Sequence, residues 1–149
     1  MREAIARYVL DTNVCLDLFV FDDPQCASLL AAAHAGEIAL VTREDCRTEW
    51  QAVLAYPQLK LSQQQRTRAA DAFDRWMHCV PSANLHADAP VLPRCRDRDD
   101  QKFVELAYQA GAVALLTRDD ELLRLARRAK RDFQFAILPP ALWREALSG

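Results

Sequence analysis

Short apolar runs alternate with longer amphipathic stretches along this chain. Residues 6–10 form a brief apolar run that predicts a buried strand. Helical character follows over 13–20, and a second helix is predicted over 24–35, stopping at Gly36, a natural C-terminal cap. Residues 38–42 again read as a short strand. Cys46, Trp50, Val53 and Leu54 are spaced i, i+4, i+7 and i+8, which is one face of a helix that ends before Pro57. Ser62 opens another helix running to about His78, with Ala69, Phe73 and Trp76/Met77 on its apolar side. Residues 81–98 carry Pro81, Pro90 and Pro93 and predict a loop with room for one short strand. Asp99 is expected to cap a helix whose inner face is Phe103, Leu106, Ala107 and Ala110, ended by Gly111. A strand over 113–116, a helix over 119–130 and a strand over 133–138 complete the pattern, before Pro139-Pro140 and a terminal helix.

Strands alternating with helices predict a parallel sheet covered on both faces, an α/β fold. The 149 residues suit one domain spanning 1–149, and 51% hydrophobic content suffices for a core without disulfides or a structural metal. The five cysteines (Cys15, Cys26, Cys46, Cys79, Cys95) form no CxxC pair and are an odd number, so they read as reduced, mostly buried residues. With neither a signal peptide nor a membrane-length apolar run, the expected location is cytoplasmic. A net charge of -2 gives no global attraction to nucleic acid, so any such binding must use local patches.

In an open parallel sheet, ligands bind beyond the carboxyl ends of the strands, where strand order reverses. Asp11, Thr12 and Asn13 follow the first predicted strand directly. Thr117, Arg118, Asp119 and Asp120 follow the strand over 113–116, and Asp97, Asp99 and Asp100 stand at the start of the helix leading into it. Glu49 borders the apolar face of its own helix, where a carboxylate is costly unless paired or coordinating a cation. Asp100 lies one turn upstream of Phe103 and Val104, hence inward. Crowded carboxylates repel one another, and a cation relieves that repulsion. An all-oxygen set without His or Cys suits Mg²⁺ or Mn²⁺ rather than Zn²⁺, with one or two ions equally open. The matching chemistry is metal-assisted phosphodiester hydrolysis.

The order LDTNV (10–14), TEW with Glu49, CRDRDDQKFVELA (95–107) and LLTRDDELL (115–123) resembles a PIN-domain ribonuclease, over nearly the whole chain. It is most similar to the bacterial branch that serves as toxin components of toxin–antitoxin systems. The resemblance implies a three-layer α/β/α sandwich with a five-stranded parallel sheet. It also implies Mg²⁺- or Mn²⁺-dependent cleavage of single-stranded RNA. The family's four acidic metal-binding and catalytic positions fall on Asp11, Glu49, Asp100 and Asp119, with Asn13 and Thr117 as supporting polar residues. Asp97 and Asp99 stay open as alternatives to Asp100, and Glu44 and Asp45 as alternatives to Glu49. An antitoxin partner and a homodimer are further implications, with an apolar groove between about Trp50 and Trp76 as the expected partner surface.

Simpler readings stand beside these. Asp11 also suits a helix cap, which is compatible with ligation. Asp120 and Glu121 complement a helix dipole, and Glu105 reads as a solvated residue. His34, His78 and His86 show no ligand spacing. Trp50, Trp76 and Trp143 read as core or interface residues. If residues 94–98 are extended, alternation puts Arg94, Arg96 and Arg98 on one side as a phosphate-binding row, with Cys95 and Asp97 opposite. Arg118 on the same rim is a further RNA-contact candidate. Two other functions compete: an aspartate-nucleophile phosphatase of haloacid-dehalogenase type and a non-catalytic RNA- or protein-binding module. The phosphatase needs a second aspartate two residues after the first, where Asn13 stands.

Overall fold

Five short apolar segments pair side by side in the structure, a computed structural model that describes residues 4–82 and 90–147. They are β1 (Ala6–Leu10), β2 (Ile38–Arg43), β3 (Met77–Val80), β4 (Ala114–Leu116) and β5 (Ala136–Leu138). All neighbours are parallel, in the order β3-β2-β1-β4-β5. One register row crosses the sheet as Met77, Leu40, Tyr8, Ala114 and Ala136, and the next holds Val41, Val9, Leu115 and Ile137. Because side chains alternate between faces, the two rows feed separate cores.

The first core is closed by α1 (Thr12–Phe19), α2 (Ala27–His34), α4 (Gln63–Trp76) and a 3-10 segment, Pro140–Leu147. The second is closed by α5 (Gln101–Gln109), α6 (Asp120–Leu123) and α7 (Ala126–Phe133). Between α2 and α4, α3 (Glu44–Leu54) sends Trp50 and Leu54 into the first core and Cys46 into the second. This is the expected three-layer α/β/α sandwich. Gly36 and Gly111 take positive φ (76° and 63°) just beyond α2 and α5, as their expected role as helix stops requires.

Several boundaries differ from expectation. The helix opened by Ser62 ends at Trp76, and Met77 turns extended to begin β3, so the third strand of the pattern lies before Pro81 rather than within the following loop. The long helix over 119–130 is interrupted at Arg124-Leu125. Gln134 adopts left-handed backbone (φ 61°), which ends α7 and delays β5 to Ala136. The terminal helix is 3-10 with a kink at Leu142. Asp97, not Asp99, caps the turn before α5, accepting from the Asp99 N–H at 2.9 Å. His86 lies outside the described residues.

Trp50 and Trp143 are buried, and Trp76 is half-buried against the His34 ring. Trp50 stacks on Phe73 inside the core, so it does not line a surface groove; the open groove beside it is bordered by Phe19, Leu30, His34, Leu61 and Trp76. Cys79 is exposed, the other four cysteines are buried, and all five are free. Among the described residues no helix is long and apolar enough to cross a membrane.

Candidate active site

β1 is the central strand, with β2 on one side and β4 on the other, so strand order reverses beside it. A crevice forms at such a point because the connections on its two sides leave in opposite directions. Asp11 is the first residue past β1, and its N–H still donates to the Leu116 carbonyl of β4 at 3.2 Å. Its side chain caps α1: Oδ1 accepts from the Val14 N–H at 2.9 Å, while Oδ2 accepts from the Thr117 hydroxyl at 2.5 Å. Asp11 is only 4% exposed. Burial pushes its carboxyl up to about 6 even against these two hydrogen bonds, and the charges of Asp119 and Asp17 add to the rise.

Thr117, fully buried just beyond β4, uses the same hydroxyl oxygen to accept the Asp119 N–H at 2.9 Å. It thereby ties the ends of β1 and β4 together. Asp119 caps α6, with Oδ1 accepting from the Glu121 N–H at 2.9 Å. Asp100 occupies the cap position of α5 without using its side chain as the cap. Burial raises its carboxyl to about 7, followed by hydrogen-bonding contact with Asp119 and repulsion from Asp97, Asp119 and Asp11. Asp11, Asp100 and Asp119 therefore share one electrostatic environment.

Glu49 is held differently. The Thr12 hydroxyl donates to its Oε2, and the Lys102 ammonium donates to its Oε1 at 3.1 Å. The two alternatives near the start of α3 face elsewhere. Asp45 pairs with Arg43 at 2.7 Å, and Arg43 also reaches Glu105 and Gln109; Glu44 contacts Arg47 and the Cys79 thiol. Asn13 is exposed on α1, and Asp97 is exposed beside Asp100.

The arginine row is only partly formed. Arg94, Arg96 and Arg98 are exposed and Cys95 is buried, as alternation requires, but Asp97 is exposed too and Arg98 begins the 3-10 turn. Arg118 pairs with Asp17 at 2.7 Å and Asp23 at 3.0 Å and also donates to Gln25. Three participants were not singled out from the sequence for these roles: Thr12, Asp17 and Lys102. Asp17 carried a signal, being a carboxylate inside the otherwise apolar stretch VCLDLF.

Among the described residues, no three Asp, Glu, His or Cys side chains form a ready-made metal-ligand set. The donor chemistry nevertheless fits a hard divalent cation. Asp11, Asp100 and Asp119 are oxygen donors, and burial and mutual repulsion make two of them hard to ionise without a positive charge nearby. Glu49, the fourth expected ligand, is instead engaged by Thr12 and Lys102.

Comparison with known proteins adds family and fold. No curated protein matches the chain. Among solved structures, the crystal structure of VapBC2 from Rickettsia felis bound to a DNA fragment from their promoter superposes with a TM-score of 0.54. It covers 88% of this chain and 96% of that one at 16% identity, which is a likeness of fold. Residues 7–121, a span that contains Asp11, Glu49, Asp100 and Asp119, match the PIN-domain family, and the chain belongs to it.

Proposed function

We propose that this protein is a divalent-cation-dependent endoribonuclease that cleaves single-stranded RNA and acts as the toxin of a toxin–antitoxin pair. The observation that carries the reading is the meeting of Asp11, Asp100 and Asp119, from three separate segments, where strand order reverses. A carboxylate cluster with mutual repulsion and no catalytic His or Cys among its contacts is suited to holding a cation rather than to attacking substrate itself.

Asp11, Asp100 and Asp119 would hold Mg²⁺ or Mn²⁺, with Glu49 as a fourth ligand once released. Bound there, such an ion supplies Lewis-acid charge that acidifies water and offsets charge developing on a phosphate. The chain's own work is orientation. Val14 and Thr117 fix both Asp11 oxygens, and Thr117 also sets the Asp119 backbone. Exposed Arg94, Arg96 and Arg98, next to the acidic start of α5, are suited to phosphate contacts on the RNA. Arg118 reaches substrate only if it leaves Asp17 and Asp23.

Likeness of fold to a VapBC protein supports the toxin assignment, and the groove bordered by Phe19, Leu30 and Trp76 is a surface suited to an antitoxin or a second copy. Asn13 weighs against the aspartyl-phosphate alternative, because an amide cannot protonate a leaving group. Single-stranded RNA incubated with Mg²⁺ or Mn²⁺ should be degraded by the wild type. Asp11→Asn should reduce the rate by at least about a hundredfold, the scale of losing a key catalytic group. Equal rates in the two proteins would remove the assignment.

A further inference from the structure

Lys102 is one of only three lysines in the chain, and it stands two residues past Asp100 on α5. Its charge could have been spent on the crowded aspartates beside it. Instead the ammonium crosses to α3, donating to Glu49 Oε1 at 3.1 Å and to the backbone carbonyl of Asp99, with the Phe103 ring 5.1 Å away. The other Glu49 oxygen is taken by the Thr12 hydroxyl. Both side chains are well shielded, at 17% exposure for Lys102 and 28% for Glu49. Each Glu49 oxygen thus accepts one hydrogen bond from the protein itself.

This arrangement divides the acidic groups into two populations. Asp11 and Asp100 both feel the charge of Asp119, and Asp100 also feels that of Asp11. Glu49 alone has its own internal cation. An ammonium and a divalent ion are both hard cations attracted to the same carboxylate, so an ion bound beside Asp100 competes with Lys102 for Glu49.

We propose that Lys102 is a latch on the acidic site: it holds Glu49 through an internal ion pair, and a divalent cation recruits Glu49 only by displacing the Lys102 ammonium. The inference rests on the metal-binding reading above. Lys102 is a positioning residue acting through Glu49.

The test is Mn²⁺ binding by titration calorimetry, in the wild type, Lys102→Met, Glu49→Gln and the double variant. Lys102→Met should tighten Mn²⁺ binding about five- to tenfold, the scale of one half-buried ion pair. In the Glu49→Gln background the same change should alter affinity less than about twofold, because the latch has nothing to hold. Lys102→Arg, which keeps the charge, should bind like the wild type. An equal gain in both backgrounds would reduce Lys102 to a distant charge and overturn the latch, as would unchanged or weaker binding in Lys102→Met. If neither the wild type nor Lys102→Met binds Mn²⁺, the metal-binding reading falls and the latch with it. Binding by the wild type that is indifferent to Lys102 sinks the latch alone.

Discussion

At the scale of single residues, the site is a contest between burial and hydrogen bonding. Asp11 accepts from both Val14 and Thr117, yet its carboxyl still rises to about 6, and Asp100 rises to about 7. An acid whose folded pKa is raised binds more protons when folded than when unfolded. Its stabilising contribution is complete below about pH 4 and is lost as pH rises through the folded value. Asp45 and Asp74, held low by Arg43 and Arg47, lose their contributions only on further acidification. With a chelator present, melting temperature should therefore fall between about pH 4.5 and 7.5. Asp100→Asn, a permanently neutral stand-in, should flatten that fall. It should stabilise the metal-free protein by about 1 kcal/mol at pH 7.5, after allowance for partial exposure. A destabilised Asp100→Asn at pH 7.5 would contradict the repulsion. The aspartates were legible because they follow strands or open a helix in an alternating pattern. The Lys102–Glu49 contact was not, since it depends on where α3 and α5 pass one another, and no local spacing encodes that.

Individual elements show where local sequence decides and where packing overrides it. The capping box that opens α4 is fully local: Ser62 Oγ accepts from the Gln65 N–H at 3.1 Å, and the Ser62 N–H donates to Gln65 Oε1 at 2.8 Å. Ser62→Ala should cost about 1 kcal/mol, read from the urea midpoint at unchanged slope, and should leave Mn²⁺ binding untouched. The other end of α4 is not local. Phe73 and Met77 are spaced i, i+4, so the apolar face continues smoothly past the point where the helix stops. Where it stops, the chain joins the sheet: Met77 pairs with Leu40, and the row Met77, Leu40, Tyr8 is buried together in the first core. The break at Arg124-Leu125 was equally hidden, because Leu122, Leu123, Ala126 and Ala129 satisfy one uninterrupted helical face.

For the whole molecule, the sheet's period-two alternation sets two cores, and the gap between their connections sets the site. Nothing in a net charge of -2 hints at this, since the relevant charge is local: several aspartates at one rim, with Arg118 clamping Asp17 and Asp23 beside them. A fold that gathers repelling carboxylates in a crevice carries a strain that a cation relieves, and ligand binding to the folded state alone raises stability by RT ln(1 + [L]/Kd). At a free concentration ten times Kd that is about 1.4 kcal/mol, or several degrees for a domain of this size. Millimolar Mg²⁺ or Mn²⁺ should accordingly raise the wild-type melting temperature. Asp119→Asn should shrink that rise, while the Mn²⁺-free melting temperature stays the same or increases. A shift of equal size in both proteins would place the cation away from Asp119. No shift in the wild type would mean that the carboxylates relieve their repulsion by protonation alone, and the pH dependence of Asp100→Asn would then be the only signature of the cluster.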